Sequence, residues 1–173
     1  MSIQNPNAAP GLHYETTKSM ASKRDPELET KILKWIGEII GEKVPPLGGM
    51  SYEETLADGV ILCKLMNKLK PDSVKKFDQE PKHAFNIVEN IHKFVKAAKE
   101  YGVGDDDVFQ TVDLTEKRNI PMVTATMIAL GRACHQHPEF KGPHIAAKPA
   151  EANPRKFSDK QTKDAAAMGA LAL

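Results

Sequence analysis

The sequence predicts an all-α fold, a bundle of four main helices with short connecting helices, on three observations. Apolar residues recur at a 3.6-residue period in four separate segments, proline and glycine mark the ends of those segments, and strand-like alternation is nearly absent. Four hydrophobic faces must meet one another, which gives one helical domain over residues 25–136. A flexible N-terminal arm (1–24) precedes it and an extended basic tail (137–173) follows.

The arm holds Pro6, Pro10 and Gly11 and no sustained apolar period, so it has little surface to offset the entropy of ordering. A helix starts at Asp25-Pro26-Glu27, where a carboxylate caps and the proline's missing N–H costs nothing in the first turn. Leu28, Ile32, Trp35, Ile36, Ile39 and Ile40 write its stripe. Gly41 and the run from Pro45 to Gly49 end it and read as a connection rather than a phosphate cradle.

Ser51 and Glu54 have capping-box spacing and open a short turn of helix. Beyond Asp58-Gly59, the residues Val60, Ile61, Leu62, Leu65, Met66 and Leu69 are apolar around much of a helix, which makes this second long helix the buried centre. Lys70-Pro71 stops it. The third long helix carries Phe85, Val88, Ile91, Phe94, Val95 and Ala98, with Lys93, Lys96, Lys99 and Glu100 on its solvated side. Asp105, Asp106 and Asp107 then cap a short helix bearing Val108, Phe109 and Val112.

The fourth long helix follows Pro121 with Val123, Met127, Ile128, Leu130 and Cys134, and its Gly131 permits close packing of another helix. Trp35, Leu62, Ile91 and Ile128 are expected to share one interior. From His137 onward Pro138, Pro143, Pro149 and Pro154 interrupt an alanine-rich stretch that cannot sustain a helix. Phe140 and Phe157 are the residues able to pin that stretch to the domain.

With 24 basic and 23 acidic side chains the net charge is +1, so no whole-molecule field draws nucleic acid or an anionic membrane, and a basic site has to be local. No run approaches the roughly 20 apolar residues of a bilayer span, and Met1 to Pro10 lacks the apolar segment of a secretory signal. A cytosolic placement is expected. Cys63 and Cys134 lie within apolar helical patterns and read as reduced, buried thiols rather than a disulfide.

The sequence carries no motif with catalytic or metal-binding spacing. His135 and His137 lack a cysteine or carboxylate at ligand spacing, and the run Asp105 to Asp107 lacks the alternating oxygens, central glycine and closing glutamate of a calcium loop. There is no nucleophile elbow, phosphate loop or zincin pair. Cys63 could meet His92 in space, yet a thiol among Leu62, Leu65 and Met66 is a structural hydrophobe. No enzyme, cofactor or metal site is expected.

The run Leu56 to Asn67, ending at Pro71, resembles the signature helix of calponin homology domains. Asp107 to Leu114 with Glu116, and then Ile128-Ala129-Leu130-Gly131-Arg132, are similar to the single-domain calponin and transgelin branch, which includes muscle proteins. Ser22 to Glu27 with Trp35-Ile36, Glu89-Asn90-Ile91 with Lys93-Phe94, and Tyr101-Gly102-Val103 extend the likeness over residues 20–160. It implies a cytoskeleton-associated protein of the cytoplasm that binds, bundles or stabilises actin filaments; a monomer without nucleic acid or membrane partners is expected. Where that family carries a glycine- and asparagine-rich repeat, this chain reads Ala165 to Leu173, which favours the alternative of a signalling or scaffold adaptor that binds another protein.

The candidate contact with an acidic filament is the basic set Lys148, Arg155, Lys156, Lys160 and Lys163 of the tail. Ser158, beside Arg155 and Lys156, is the candidate regulatory phosphosite, because phosphate there would offset the local positive charge. Lys75-Lys76 and the set Lys93, Lys96 and Lys99 read as weaker alternatives, helix faces kept soluble by charge.

Overall fold

A computed structural model describes residues 23–44 and 49–148. Among these residues six α-helices follow in order: α1 (Pro26–Ile40), α2 (Tyr52–Leu56), α3 (Val60–Leu69), α4 (Ala84–Tyr101), α5 (Thr111–Thr115) and α6 (Ile120–Ala133). Single 3-10 turns occur at Asp105–Asp107 and Cys134–Gln136, and no strand is present among the described residues. The architecture is the predicted all-α bundle, with α1, α3, α4 and α6 as its long members.

Helix ends follow the local chemistry. The Asp25 carboxylate accepts from the backbone N–H groups of Glu27 and Leu28, both at 3.1 Å. Gly41 ends α1 at φ 76°, a left-handed geometry that glycine adopts without a Cβ penalty. The capping box at α2 is complete: the Glu54 N–H donates to Ser51 Oγ at 3.4 Å, and the Ser51 N–H donates to Glu54 Oε2 at 3.0 Å.

α3 packs against α1, α2 and α4, while α6 packs against α1, α4 and α5. Val60, Leu62, Cys63, Leu65, Met66 and Leu69 of α3 are all buried, as the near-continuous apolar pattern requires. Trp35, Leu62 and Ile91 share the interior, and Ile128 packs at its margin, partly buried. Cys63 and Cys134 are both free and buried, and burial pushes their thiols up to about 12 and about 11.

Three expectations change. Phe85 and Val88, expected on the buried stripe of α4, are 75% and 44% exposed, because at 3.6 residues per turn Phe85 falls opposite the face buried through Ile91, Phe94 and Ala98, and Val88 falls to its side. Val108 and Phe109 are not helical. They form an extended link into α5, where the Phe109 N–H donates to Thr126 Oγ1 of α6 at 2.9 Å. Gly131 does not admit another helix: a Cβ there would overlap Ile145 Cγ2, so the close neighbour is the chain beyond the bundle.

Buried polar groups sit between the helices. Asn90 of α4 is 1% exposed; its amide donates to the carbonyls of Asp58 (3.1 Å) and Asp78 (2.8 Å), while its Oδ1 accepts the Asp78 N–H at 3.0 Å. The Asn90 carbonyl also accepts from the Cys63 thiol at 3.3 Å. Gly59, at φ 72°, lets the backbone before α3 approach this residue, since a Cβ at Gly59 would lie 2.9 Å from Asn90 Cβ.

At the other end Arg24 bridges two helices. Its guanidinium contacts Glu29 through Nε and Nη2, each at 2.8 Å, and Glu53 through Nη1 and Nη2 at 3.2 and 2.8 Å. Glu29 is only 5% exposed, so this bidentate fork supplies the partner a buried carboxylate needs. The same hydrogen bonds hold the Glu53 carboxyl below its usual range.

Candidate functional site

Of the basic tail set, Lys148 lies within the described residues and is exposed. Arg155, Lys156, Lys160 and Lys163, the candidate phosphosite Ser158, and the pinning aromatic Phe157 lie outside the described residues. What the structure adds is the route by which the chain reaches Lys148.

Residues 137–148 have the irregular backbone expected of a proline-spaced stretch and run back over the bundle. The Trp35 indole N–H donates to the Pro143 carbonyl at 2.7 Å. Phe140 and Ile145 pack against the core, Ile145 in the space that Gly131 leaves open. His135 stacks on His144 with centroids 4.1 Å apart, and its Nε2 meets the Ala146 carbonyl at 2.8 Å. His137 stacks on Tyr101 at 3.9 Å, and its Nε2 meets the Tyr101 carbonyl at 2.7 Å.

His135 and His137, two residues apart, therefore face different partners. Each directs Nε2 at a backbone carbonyl, which requires a proton on that nitrogen and takes it away from metal ligation. Among the described residues no group of three His, Cys, Asp or Glu side chains is placed to hold a metal ion. Asp105 forms an ion pair with Lys99 at 2.7 Å rather than joining an oxygen cage. His92 lies on the exposed side of α4 while Cys63 is fully buried, so they do not form a thiol–imidazole pair.

A second basic surface is less visible in sequence. Lys75 and Lys76 are not on a helix; they lie in the loop after α3, and with Lys93 and Lys96 of α4 they line one open cleft of about 420 Å³. Asn67 of α3 sets that loop: its amide donates to the Val74 carbonyl at 2.9 Å and its Oδ1 accepts the Val74 N–H at 2.8 Å. Val74 is 4% exposed, so a buried anchor immediately precedes the two lysines. Lys93 is steadied by Glu89 one turn earlier at 2.9 Å. The signal available in sequence was Val74 beside Lys75-Lys76, a lone apolar residue in a polar loop.

Among the described residues no helix is long and apolar enough to cross a membrane. Comparison with known proteins places these features. The calponin homology (CH) domain family matches residues 26–136. Muscle-specific protein 20 of Drosophila melanogaster is 51% identical over 152 residues, covering 88% of this chain and 81% of that protein. Myophilin of Echinococcus granulosus is 44% identical over 154 residues, covering 89% and 80%. Among solved structures, the calponin-homology domain of Rng2 from Schizosaccharomyces pombe is similar in fold, with a TM-score of 0.61 at 23% identity over 88% of this chain and 92% of that one.

Proposed function

Because the chain belongs to the calponin homology domain family, in its calponin- and transgelin-like branch of structural rather than enzymatic proteins with a general actin-associated cytoskeletal role, we propose that it binds actin filaments and bundles or stabilises them in the cytoplasm of muscle. The observation that carries this reading is the extent of the likeness to Muscle-specific protein 20. Its 152 aligned residues are more than residues 26–136 can supply, so the flanks are shared as well as the bundle.

In this reading the docked segment 137–148 delivers the basic set Lys148, Arg155, Lys156, Lys160 and Lys163 from a fixed place on the domain to an acidic filament. Phosphate on Ser158 would oppose that contact by adding negative charge between the basic residues. The chain acts as a monomer, so bundling requires a second contact on the domain itself.

Cosedimentation with filaments tests the reading. Binding at low salt should weaken as ionic strength rises through the physiological range, where screening acts over about 8 Å. It should also weaken in an Arg155→Ala, Lys156→Ala, Lys160→Ala variant and in Ser158→Glu. A full chain that stays in the supernatant at low salt, or a triple variant that pellets like the wild type, refutes it.

A second reading is favoured by one observation. Phe85 and Val88 stand exposed one turn apart on α4, an apolar spot suited to another protein. In the adaptor reading that spot, and not the tail, makes the main contact. Phe85→Ser should then abolish recovery of the partner from muscle extract while leaving filament cosedimentation unaltered.

A further inference from the structure

From the cleft formed by Lys75, Lys76, Lys93 and Lys96, we infer that the domain binds a multiply phosphorylated anion, the chemistry shared by phosphoinositide headgroups and soluble inositol polyphosphates. The site uses none of the tail residues, so it goes beyond filament binding and does not depend on it.

The cleft is held in shape. Asn67 fixes the loop through both polar groups of the Val74 backbone, and the buried Val74 side chain anchors it beside α4. Lys75 and Lys76 therefore start from a set position, unlike lysines on a fraying terminus. Across the cleft, Lys93 and Lys96 project one turn apart from the same helix, and Glu89 orients the first of them.

The charge is only partly compensated, by Glu89 on Lys93 and by Glu100. Four ammonium groups share the lining with a single carboxylate, Glu100, and among the described residues Lys75, Lys76 and Lys96 have no ion-pair partner. The floor is apolar, made by Val74 and Ala97, both nearly inaccessible to water. A low-dielectric wall beneath like charges concentrates their field into the opening.

These features select the ligand. A phosphate group carries about 1.5 to 2 negative charges on one compact centre, whereas an acidic protein surface offers single carboxylates spread along a chain. Lysine binds phosphate as a point charge and needs no planar match. Several ammonium groups around a concavity of about 420 Å³ suit a compact ring bearing phosphates on more than one side. The near-neutral net charge of the chain makes this a local attraction and not a general one.

The test uses the full chain with two probes: inositol hexakisphosphate in titration calorimetry, and phosphatidylcholine vesicles with or without phosphatidylinositol bisphosphate in flotation. Lys75→Gln, Lys96→Gln removes two cleft charges. Lys31→Gln, Lys34→Gln on the exposed side of α1 removes the same charge elsewhere. Saturable binding is expected in at least one arm, weakened about tenfold or more by the cleft pair and no more than about twofold by the α1 pair. Binding confined to phosphoinositide vesicles assigns a membrane headgroup as the source, and binding of the free probe alone assigns a soluble one; both support the site. No saturable binding in either arm, equal losses in the two variants, or equally tight binding of polyglutamate overturns it.

Discussion

The Trp35 indole N–H and the Pro143 carbonyl, 108 residues apart in sequence, meet at 2.7 Å. Trp35 is 3% exposed, so its N–H has no water to turn to, and the carbonyl supplies the partner a buried donor requires. This one contact ties α1 to the chain beyond α6.

Trp35→Phe removes the donor and keeps an aromatic ring in the core. The lost hydrogen bond should cost about 1 kcal/mol, with a further contribution from the space left by the smaller ring. Hydrogen exchange should quicken across residues 144–147 while the amides of α3 keep their protection. Unchanged exchange in that segment would show that the contact does not hold it.

Gly131→Ala places a methyl group where Ile145 Cγ2 lies. The segment must shift or the helix must strain, and the expected loss is about 1 to 3 kcal/mol despite alanine's better helix propensity. Ile145→Ala makes room, so the double variant should be more stable than the two single losses predict. Strict additivity in urea denaturation would rule out the steric cause.

Arg24→Ala leaves Glu29 buried without its cation, at a cost of about 3 kcal/mol near neutral pH. The sign of the pH dependence follows from Glu53, whose carboxyl is depressed in the folded state by hydrogen bonds from Arg24. The unfolded chain then takes up the proton first, so this stabilisation is complete above the unfolded value and fades as pH falls through the folded one. Between about pH 5 and pH 3 the wild type should lose stability more steeply than Arg24→Ala. Parallel acid limbs in the two urea midpoint series would exclude the assignment.

Cys63 and Cys134 should resist iodoacetamide in the folded protein at pH 8, since burial both hides them and holds their thiols at about 12 and about 11. Both should label quickly in denaturant. Rapid labelling of either one in the native state would mean that α3 or the end of α6 opens far more readily than its burial implies.

The bundle was legible because its signals are local. Asp25, Ser51 with Glu54, Gly41 and Gly102 act within a turn of where they stand, and the stripe of α1 repeats often enough to be read without a partner. Long-range polar geometry was not legible. Nothing in Asn90 announces that it joins Asp58 to Asp78, and nothing in Glu29, set on a helix with charged neighbours, announces that it is buried against Arg24. Phe85 and Val88 mislead because they are apolar yet stand off the face that Ile87, Ile91, Phe94 and Ala98 write along α4. The lysine cleft was hidden for a related reason, because its four members come from two stretches that only the Asn67–Val74 hydrogen bonds bring into line.

The stretch through Phe140, Pro143 and Ile145 makes the chain its own first guest. It already occupies the junction beside Trp35 and Gly131, so a visiting protein would have to evict it before touching that part of α1 or α6. Among the described residues α4 has no such tenant over Phe85, Val88 or Lys96. The described part of the domain therefore leaves α4 and the loop after α3 open where α1 and α6 are already covered.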